Sequence, residues 1–327
     1  MSVKEAIIAF LRGQNGCVAT LKQIYKGISE NGCQPGGQTP ENTVRARLYE
    51  DRDTFRRVCK GVYMLTGSDT DSVSLLIEGD GRNLTEIEDS SIDCIITDHP
   101  WSDAKANKGG NRHFADYDCF QYEERDFAAK ARVLKEGSYL AEFLPVESAT
   151  NWKYLFRIKE MAEKNGLEYY TQILWRNSYN SNCGRVSKGV QNILIFTKGK
   201  PRKLSPDNVQ GYQTAEMLKY EVEMLINPKT RRHQAEKPVA LYEYLIRQFT
   251  KPGDVCLDQF GGSCNMLKAA QNTKRHGIVY EICHSFVEEA KKFFGLVTLH
   301  EDAAAEPSES ENPVFFADAD GQLSFCL

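Results

Sequence analysis

Val255-Cys-Leu-Asp258-Gln-Phe260-Gly261-Gly262-Ser263-Cys264-Asn265 runs through residues 266–271 into His276-Gly-Ile-Val-Tyr-Glu281. The order is apolar strand, glycine turn, short helix, second apolar strand and a closing acid, which is a βαβ unit. Glycines after a strand let a ligand approach the backbone, and the first helical turn offers amides without helical partners. A carboxylate about 20 residues further on can accept from ribose hydroxyls. Glu281 stands 20 residues after Gly261. A plain strand-to-helix turn has the same pattern, so the loop alone leaves that alternative open.

Outward from this unit, apolar runs at 73–77, 92–97, 139–144, 169–175, 191–197, 255–257 and 277–282 alternate with helical segments. That alternation predicts an α/β domain over 73–300 built on a mostly parallel sheet. One run, Asp93-Cys-Ile-Ile-Thr-Asp98-His99-Pro100-Trp101, reads as a buried strand ending in an acid, a proline-stiffened turn and a large aromatic. Ligands of open α/β sheets lie beyond such carboxyl ends. A carboxylate beside a rigid carbonyl accepts both hydrogens of an amine, and an indole stacks on a planar base. The alternative is an Asp that merely caps a strand end beside a core Trp.

Together these stretches resemble the DNA amino-methyltransferases, which methylate the exocyclic amine of adenine or cytosine from S-adenosylmethionine. Asp98-His-Pro-Trp101 is similar to the family's Asp-Pro-Pro-aromatic motif, and Asp258-Gln-Phe-Gly-Gly-Ser-Cys-Asn265 to its Asp-Pro-Phe-x-Gly-Ser-Gly-Thr loop. His233-Gln-Ala-Glu-Lys237-Pro238, Leu76-Ile-Glu-Gly-Asp80 and Arg132-Val-Leu-Lys-Glu-Gly137 resemble its Lys-Pro segment, its Gly-Asp turn and a helix end. The order, catalytic motif before cofactor loop, is that of the permuted beta subgroup. The resemblance spans about residues 73–296 and implies a Rossmann-like S-adenosylmethionine-dependent methyltransferase. It departs from the motif at His99, Gln259, Cys264 and Asn265.

By this resemblance Asp98, His99, Pro100 and Trp101 are catalytic. Asp98 and the His99 carbonyl repolarise an amine of a flipped-out base, and Trp101 restores its stacking. Asp258, Phe260, Gly262, Ser263, Glu281 and Lys237 hold the cofactor, Lys237 near its amino-acid end, and Asp80 lines the pocket. Adenine is favoured because Asp rather than Ser opens the catalytic motif. The cytosine amine remains an alternative, as does a DNA-binding regulator that keeps the fold without catalysis.

Residues 1–66 hold ten Lys and Arg against six Asp and Glu. Helical spacing over 3–13 and 20–30, a helix from Pro40 with Thr39 as its cap, and alternation over 55–65 around Lys60-Gly61 predict a winged helix-turn-helix. It resembles a module that accompanies restriction and chromatin-associated proteins. Arg45, Arg47, Arg52, Arg56 and Arg57 are then candidates for phosphate contact on duplex DNA, with protein docking the alternative. Residues 67–72 read as a linker. A target-recognition region is expected at about 198–236, where Lys203, Arg231 and Arg232 are candidate DNA contacts and residues 214–225 look helical. A homodimer or a restriction partner is compatible with the sequence.

Residues 301–327 carry seven acids and no Lys or Arg, and read as a disordered tail; without them the net charge of −4 becomes +3. The 327 residues, 41% apolar and 26% charged, exclude collagen, wholly disordered chains and, with no apolar run near 18 residues, a membrane span. Ten scattered Cys without a Cys-x-x-Cys pair, and no secretory signal, predict a cytoplasmic protein without a zinc site.

Overall fold

The computed structural model describes residues 1–13, 17–36, 40–59, 61–66, 72–101, 119–177, 189–203, 221–226, 235–293, 314–317 and 323–325. The chain begins with α1 (Val3–Arg12), β1 (Val18–Thr20), α2 (Leu21–Glu30), α3 (Pro40–Glu50), β2 (Phe55–Cys59) and β3 (Val62–Leu65). Ser2 and Glu5 form a reciprocal capping box on α1, and Thr20 and Gln23 form another on α2. Thr39, the expected cap of α3, lies outside the described residues. The β2–β3 hairpin falls where alternation places it, and β1 adds a third antiparallel strand in the order β1-β3-β2. Ile7, Leu11, Ile24, Ile28, Val44 and Phe55 close a small core of their own.

Among the described residues the main body is a sheet of ten strands in the order β13-β12-β4-β11-β10-β5-β6-β8-β7-β9. These are β4 (Ser74–Glu78), β5 (Ile92–Thr97), β6 (Leu134–Pro145), β7 (Leu167–Arg176), β8 (Val190–Lys198), β9 (Glu221–Glu223), β10 (Val255–Asp258), β11 (His276–Glu281), β12 (Val314–Ala317) and β13 (Leu323–Phe325). From β12 through β4, β11, β10 and β5 to β6 every pairing is parallel, and β8 then runs antiparallel between β6 and β7. All seven apolar runs become strands of this sheet. The helices α4 (Glu124–Val133), α5 (Trp152–Lys164), α6 (Val239–Phe249), α7 (Asn265–Asn272) and α8 (His284–Phe293) connect or follow the strands. Two apolar clusters cover the faces of the sheet, one around Leu75, Ile95, Leu140, Ile158 and Phe127, the other around Ile96, Phe143, Leu245, Cys256 and Leu267.

Two expectations are corrected. The acidic terminus is not uniformly disordered, because β12 pairs parallel with β4 and β13 turns back on β12. Val314-Phe-Phe is a β-prone segment, and β4 would otherwise leave its outer edge unpaired. Similarly, residues 221–223 of the stretch expected to be helical form β9, parallel to the edge strand β7. Residues 214–220 lie outside the described residues.

The amino-terminal unit is packed against the body. Val18, Val62 and Met64 belong to the same buried cluster as Val73, Ile92 and Leu134. Arg56 of β2 donates to Asp93 Oδ2 at 3.1 Å and to the Gly253 carbonyl at 3.1 Å. Asp93 and Val255 lie at the starts of β5 and β10, so the unit sits on the amino edge of the parallel strands. Among the described residues no helix is long and apolar enough to cross a membrane.

Candidate active site

Asp98 follows β5 directly, Asp258 ends β10, Glu281 ends β11 and the Gly79-Asp80-Gly81 turn follows β4, so the acids and glycines singled out in sequence share the carboxyl edge. Three adjacent parallel strands, β5, β10 and β11, bring them together although they are far apart in the chain. Lys237 joins them from the segment before α6. Its buried ammonium lies against Asp98 Oδ2 and donates to the Ala235 carbonyl at 3.1 Å. Burial pushes Lys237 down to about 7, and the charge of Asp258 opposes that shift. Lys237 was expected beside the cofactor's amino-acid end; its partner here is the Asp98 carboxylate. The Trp101 indole N–H also donates to Asp98, at Oδ1 and 3.3 Å. Asp98 is thus fixed from both oxygens.

The two side chains of Asp98-His99 leave on opposite faces, as successive residues of an extended chain do. Asp98 meets Lys237, whose ammonium lies over the Phe143 ring. The His99 imidazole is buried in the other cluster, against Glu142, Tyr154 and the Tyr122 ring. Its main-chain carbonyl accepts the Trp101 N–H at 2.8 Å, and the Pro100 carbonyl accepts the Phe120 N–H at 3.0 Å. Whatever His99 offers a ligand at the Asp98 side comes from its backbone.

In the glycine loop, the Gly261 N–H donates to the Tyr280 carbonyl at 2.7 Å, drawing the loop onto β11. A Cβ at Gly261 would lie 2.3 Å from Val279 Cγ1, so the close approach requires glycine. Glu281 accepts the Gly262 N–H at 2.6 Å and the Cys283 N–H at 2.8 Å. Burial raises its pKa, and those amides oppose the rise. Fully buried Asp258 accepts from the Phe260 N–H at 3.1 Å and from Tyr242 Oη at 3.1 Å. Burial pushes it up to about 7. Phe260 and Ser263 are partly exposed on the same loop.

Two departures from the family motif have partners that sequence reasoning missed. Gln259, where the motif has proline, donates through Nε2 to the Gly81 carbonyl at 2.7 Å and ties the Gly79–Gly81 turn, with exposed Asp80, to the loop. A Cβ at Gly81 would stand 2.1 Å from the Gln259 carbonyl oxygen. Asn265, where the motif has threonine, donates to the Lys237 carbonyl at 2.8 Å and to Glu236 at 2.9 Å, which anchors the segment that carries Lys237. Glu142 was also missed, although a lone charge inside the apolar run Tyr139-Leu-Ala-Glu142-Phe-Leu144 was a legible signal.

Other sequence candidates fall elsewhere. Arg56, expected to contact phosphate, is held in this structure by Asp93 and Gly253. Arg57 donates to Tyr49 Oη at 2.7 Å, while Arg45 and Arg47 are exposed on α3. Lys203 is exposed beside Arg202, which reaches Asp93 and Asp254 at the amino edge, away from Asp98. Arg231 and Arg232, with most of 198–236, lie outside the described residues.

Residues 92–292, from β5 to α8, match the DNA methylase family, the N6/N4 methyltransferases. The chain belongs to that family. Among curated relatives of this N6/N4 DNA methylase, the type II methyltransferase M.HpaI of Haemophilus parainfluenzae is 27% identical over 71% of this chain and 79% of its own. The type II methyltransferase M.MjaI of Methanocaldococcus jannaschii is 27% identical over 63% and 86%. Among solved structures, the cytosine-N4-specific PvuII DNA methyltransferase superposes with a TM-score of 0.51 at 18% identity, over 73% of this chain and 92% of that one. A Thermus thermophilus protein solved with S-adenosyl-L-methionine gives 0.50 at 18%, over 68% and 93%. These two likenesses show the methyltransferase fold.

Proposed function

We propose that this methylase transfers a methyl group from S-adenosylmethionine to the exocyclic amine of adenine in duplex DNA, acting on a base turned out of the helix. The observation that carries the reading is the convergence of Asp98, Lys237 and Trp101 on one carboxyl edge with the Asp258–Gly262 loop and Glu281. The cradle suits the cofactor. A loop drawn onto β11 at Gly261 brings the backbone of the turn to the strand ends, and two carboxylates, Asp258 and Glu281, end neighbouring strands. Gly262, Ser263, Phe260, Asp258 and Glu281 would hold it. When bound, S-adenosylmethionine supplies an electrophilic methyl carried on a sulfonium.

The chain's own task is to make a poor nucleophile usable. An aromatic amine has its lone pair delocalised into the ring, and a carboxylate that accepts its hydrogen returns density to nitrogen. Asp98 does this, aimed by the Lys237 ammonium and the indole N–H. Alignment supplies most of the rate gain, so a strong base is not required. The ring of Trp101 offers a stacking face that offsets part of the few kcal/mol needed to unstack the base. Adenine is preferred on the strength of the Asp that opens the motif. The order of the Asp98–Trp101 stretch before the glycine loop supports a place in the permuted subgroup, and the three helices with hairpin over 1–66 support reading that unit as a winged helix. Likeness to type II methyltransferases supports site-specific action.

The test is incubation of the full chain with mixed-sequence duplex DNA and deuterated-methyl S-adenosylmethionine, followed by nucleoside mass spectrometry. Label is expected in N6-methyladenine, lost in Asp98→Ala while cofactor binding by calorimetry persists. Label in N4-methylcytosine would replace the base assignment. No label with cofactor bound would favour a regulator that retains the fold, and activity in Asp98→Ala would remove the role given to Asp98.

A further inference from the structure

Beneath the catalytic turn, on the face away from Asp98, lies a buried polar cluster that the chemistry does not call upon. Glu142 of β6 stands beside Thr97 in the parallel register of β5 and β6. Its Oε1 receives Tyr122 Oη at 2.7 Å and His99 Nδ1 at 3.3 Å, and its Oε2 receives Lys130 Nζ at 2.6 Å. His99 Nε2 lies 2.7 Å from Tyr154 Oη, which itself accepts the Tyr122 N–H at 3.0 Å. Lys130 and Glu142 have no exposed surface.

These partners fix the state of each group. Burial alone would push Glu142 up, yet Lys130 and His99 hold it below its ordinary value, so it is an acceptor. His99 Nδ1 therefore carries the hydrogen and Nε2 accepts from the Tyr154 hydroxyl. Burial lowers the His99 pKa, Glu142 opposing, and the ring is neutral above its ordinary titration range. A neutral ring fastened at both nitrogens and packed 4.0 Å from the Tyr122 centroid has no freedom to rotate or to exchange protons with a ligand on the Asp98 side. The same aromatics reach the cofactor loop, Phe120 lying 5.6 Å from Phe260 between centroids.

We propose that His99 is a positioning residue: with Glu142, Lys130, Tyr122 and Tyr154 it forms a buried clamp that fixes the Asp98–Trp101 turn by hydrogen bonds, where a proline ring would fix it covalently. The clamp rests on the methyl-transfer reading for its consequence. Its cost is the desolvation of an ion pair, and removing one member of such a pair is strongly destabilising. Tyr154→Phe deletes a single oxygen and leaves that pair intact.

The test uses the full chain in two measurements. With 15N-histidine labelling, the neutral His99 ring is expected in the Nδ1–H tautomer, with its titration displaced below the ordinary histidine value. An Nε2–H tautomer, or a titration at or above the ordinary value, would overturn the clamp whether or not the chain methylates DNA. In single-turnover transfer, Tyr154→Phe is expected to slow the step by about 3- to 10-fold and His99→Ala by about 10- to 100-fold. Dissociation constants for cofactor and DNA should stay within about 2-fold and the pH–rate profile should keep its shape. His99→Asn should recover part of the loss, and the double variant should be no slower than His99→Ala. Additive losses, a lost limb of the pH profile, or an unchanged rate in folded Tyr154→Phe would each overturn the proposal. A wild type that transfers to no DNA counts against the functional reading, and the tautomer measurement then decides the clamp alone.

Discussion

At the amino end of β11, His276 Nδ1 accepts the Val73 N–H at 3.0 Å and so joins the start of the body to the sheet. That bond requires an unprotonated nitrogen. Burial, with the Arg56 charge adding to it, pushes His276 down to about 4, and Asp93 opposes the shift. An unfolded histidine titrates near 6.5, so between these values the unfolded chain binds more protons than the folded one. The depressed value means that His276 contributes its full stability above about 6.5 and loses it as pH falls toward 4. His276→Asn keeps an acceptor near Nδ1 without the titration. In urea unfolding, the stability of the wild type relative to this variant is expected to fall by up to about 3 kcal/mol between pH 7 and pH 4. Taking the difference cancels Asp258, whose raised value gives the opposite slope in the same window. A pH-independent difference would show that His276 is not held neutral by the fold.

Among the elements, β2 joins the amino-terminal unit to the body through Arg56. Asp93, which receives it, is also held by Lys135 at 2.7 Å and Arg202 at 3.1 Å, and accepts the Val255 N–H at 2.9 Å. Burial pushes Asp93 upward, yet Lys135, the Val255 amide and Arg56 together hold it below its ordinary value. Arg56→Met keeps much of the stem, and two cations still face Asp93. The expected loss is about 1–3 kcal/mol, the worth of a hydrogen bond to a charged group, read by denaturant unfolding. The salt dependence of DNA binding should be unchanged; a slope smaller by about 1 would return Arg56 to the phosphate contacts. Sequence could not distinguish these roles, because a basic residue in a hairpin looks alike whether a phosphate or Asp93, 37 residues on, receives it. What was legible has a local cause: apolar runs give β5, β10 and β11, and an acid at or just past the end of each run puts Asp98, Asp258 and Glu281 on the carboxyl edge. What was not legible is set by distant partners. Strands β9 and β12 form on the edges of β7 and β4, and Gln259 finds Gly81 across 178 residues of chain.

For the whole molecule, the parallel strands separate two edges. Arg56 meets Asp93 at the start of β5 and Asp98 lies just past its end, about 16 Å further along at about 3.3 Å per residue. The helix α3, joined to β2 through the Arg57–Tyr49 contact, thus belongs to the edge opposite Asp98 and the proposed site. Arg45 and Arg47 are exposed there, and the surface pair of Arg47 with Glu50 is of a kind weak enough to yield to a phosphate. Duplex that extends past the methylated site, or a second duplex, is what such residues would meet. Arg45→Glu/Arg47→Glu is therefore expected to weaken binding to a duplex of about 40 base pairs and to reduce its salt slope by about 2. On a duplex of about 12 base pairs centred on the target, about 40 Å long, kcat and KM should stay as in the wild type. Equal loss on both lengths would bring α3 to the target itself. No loss on either would leave α3 a surface for a protein, and the basic charge of the first 66 residues would then have another purpose than DNA.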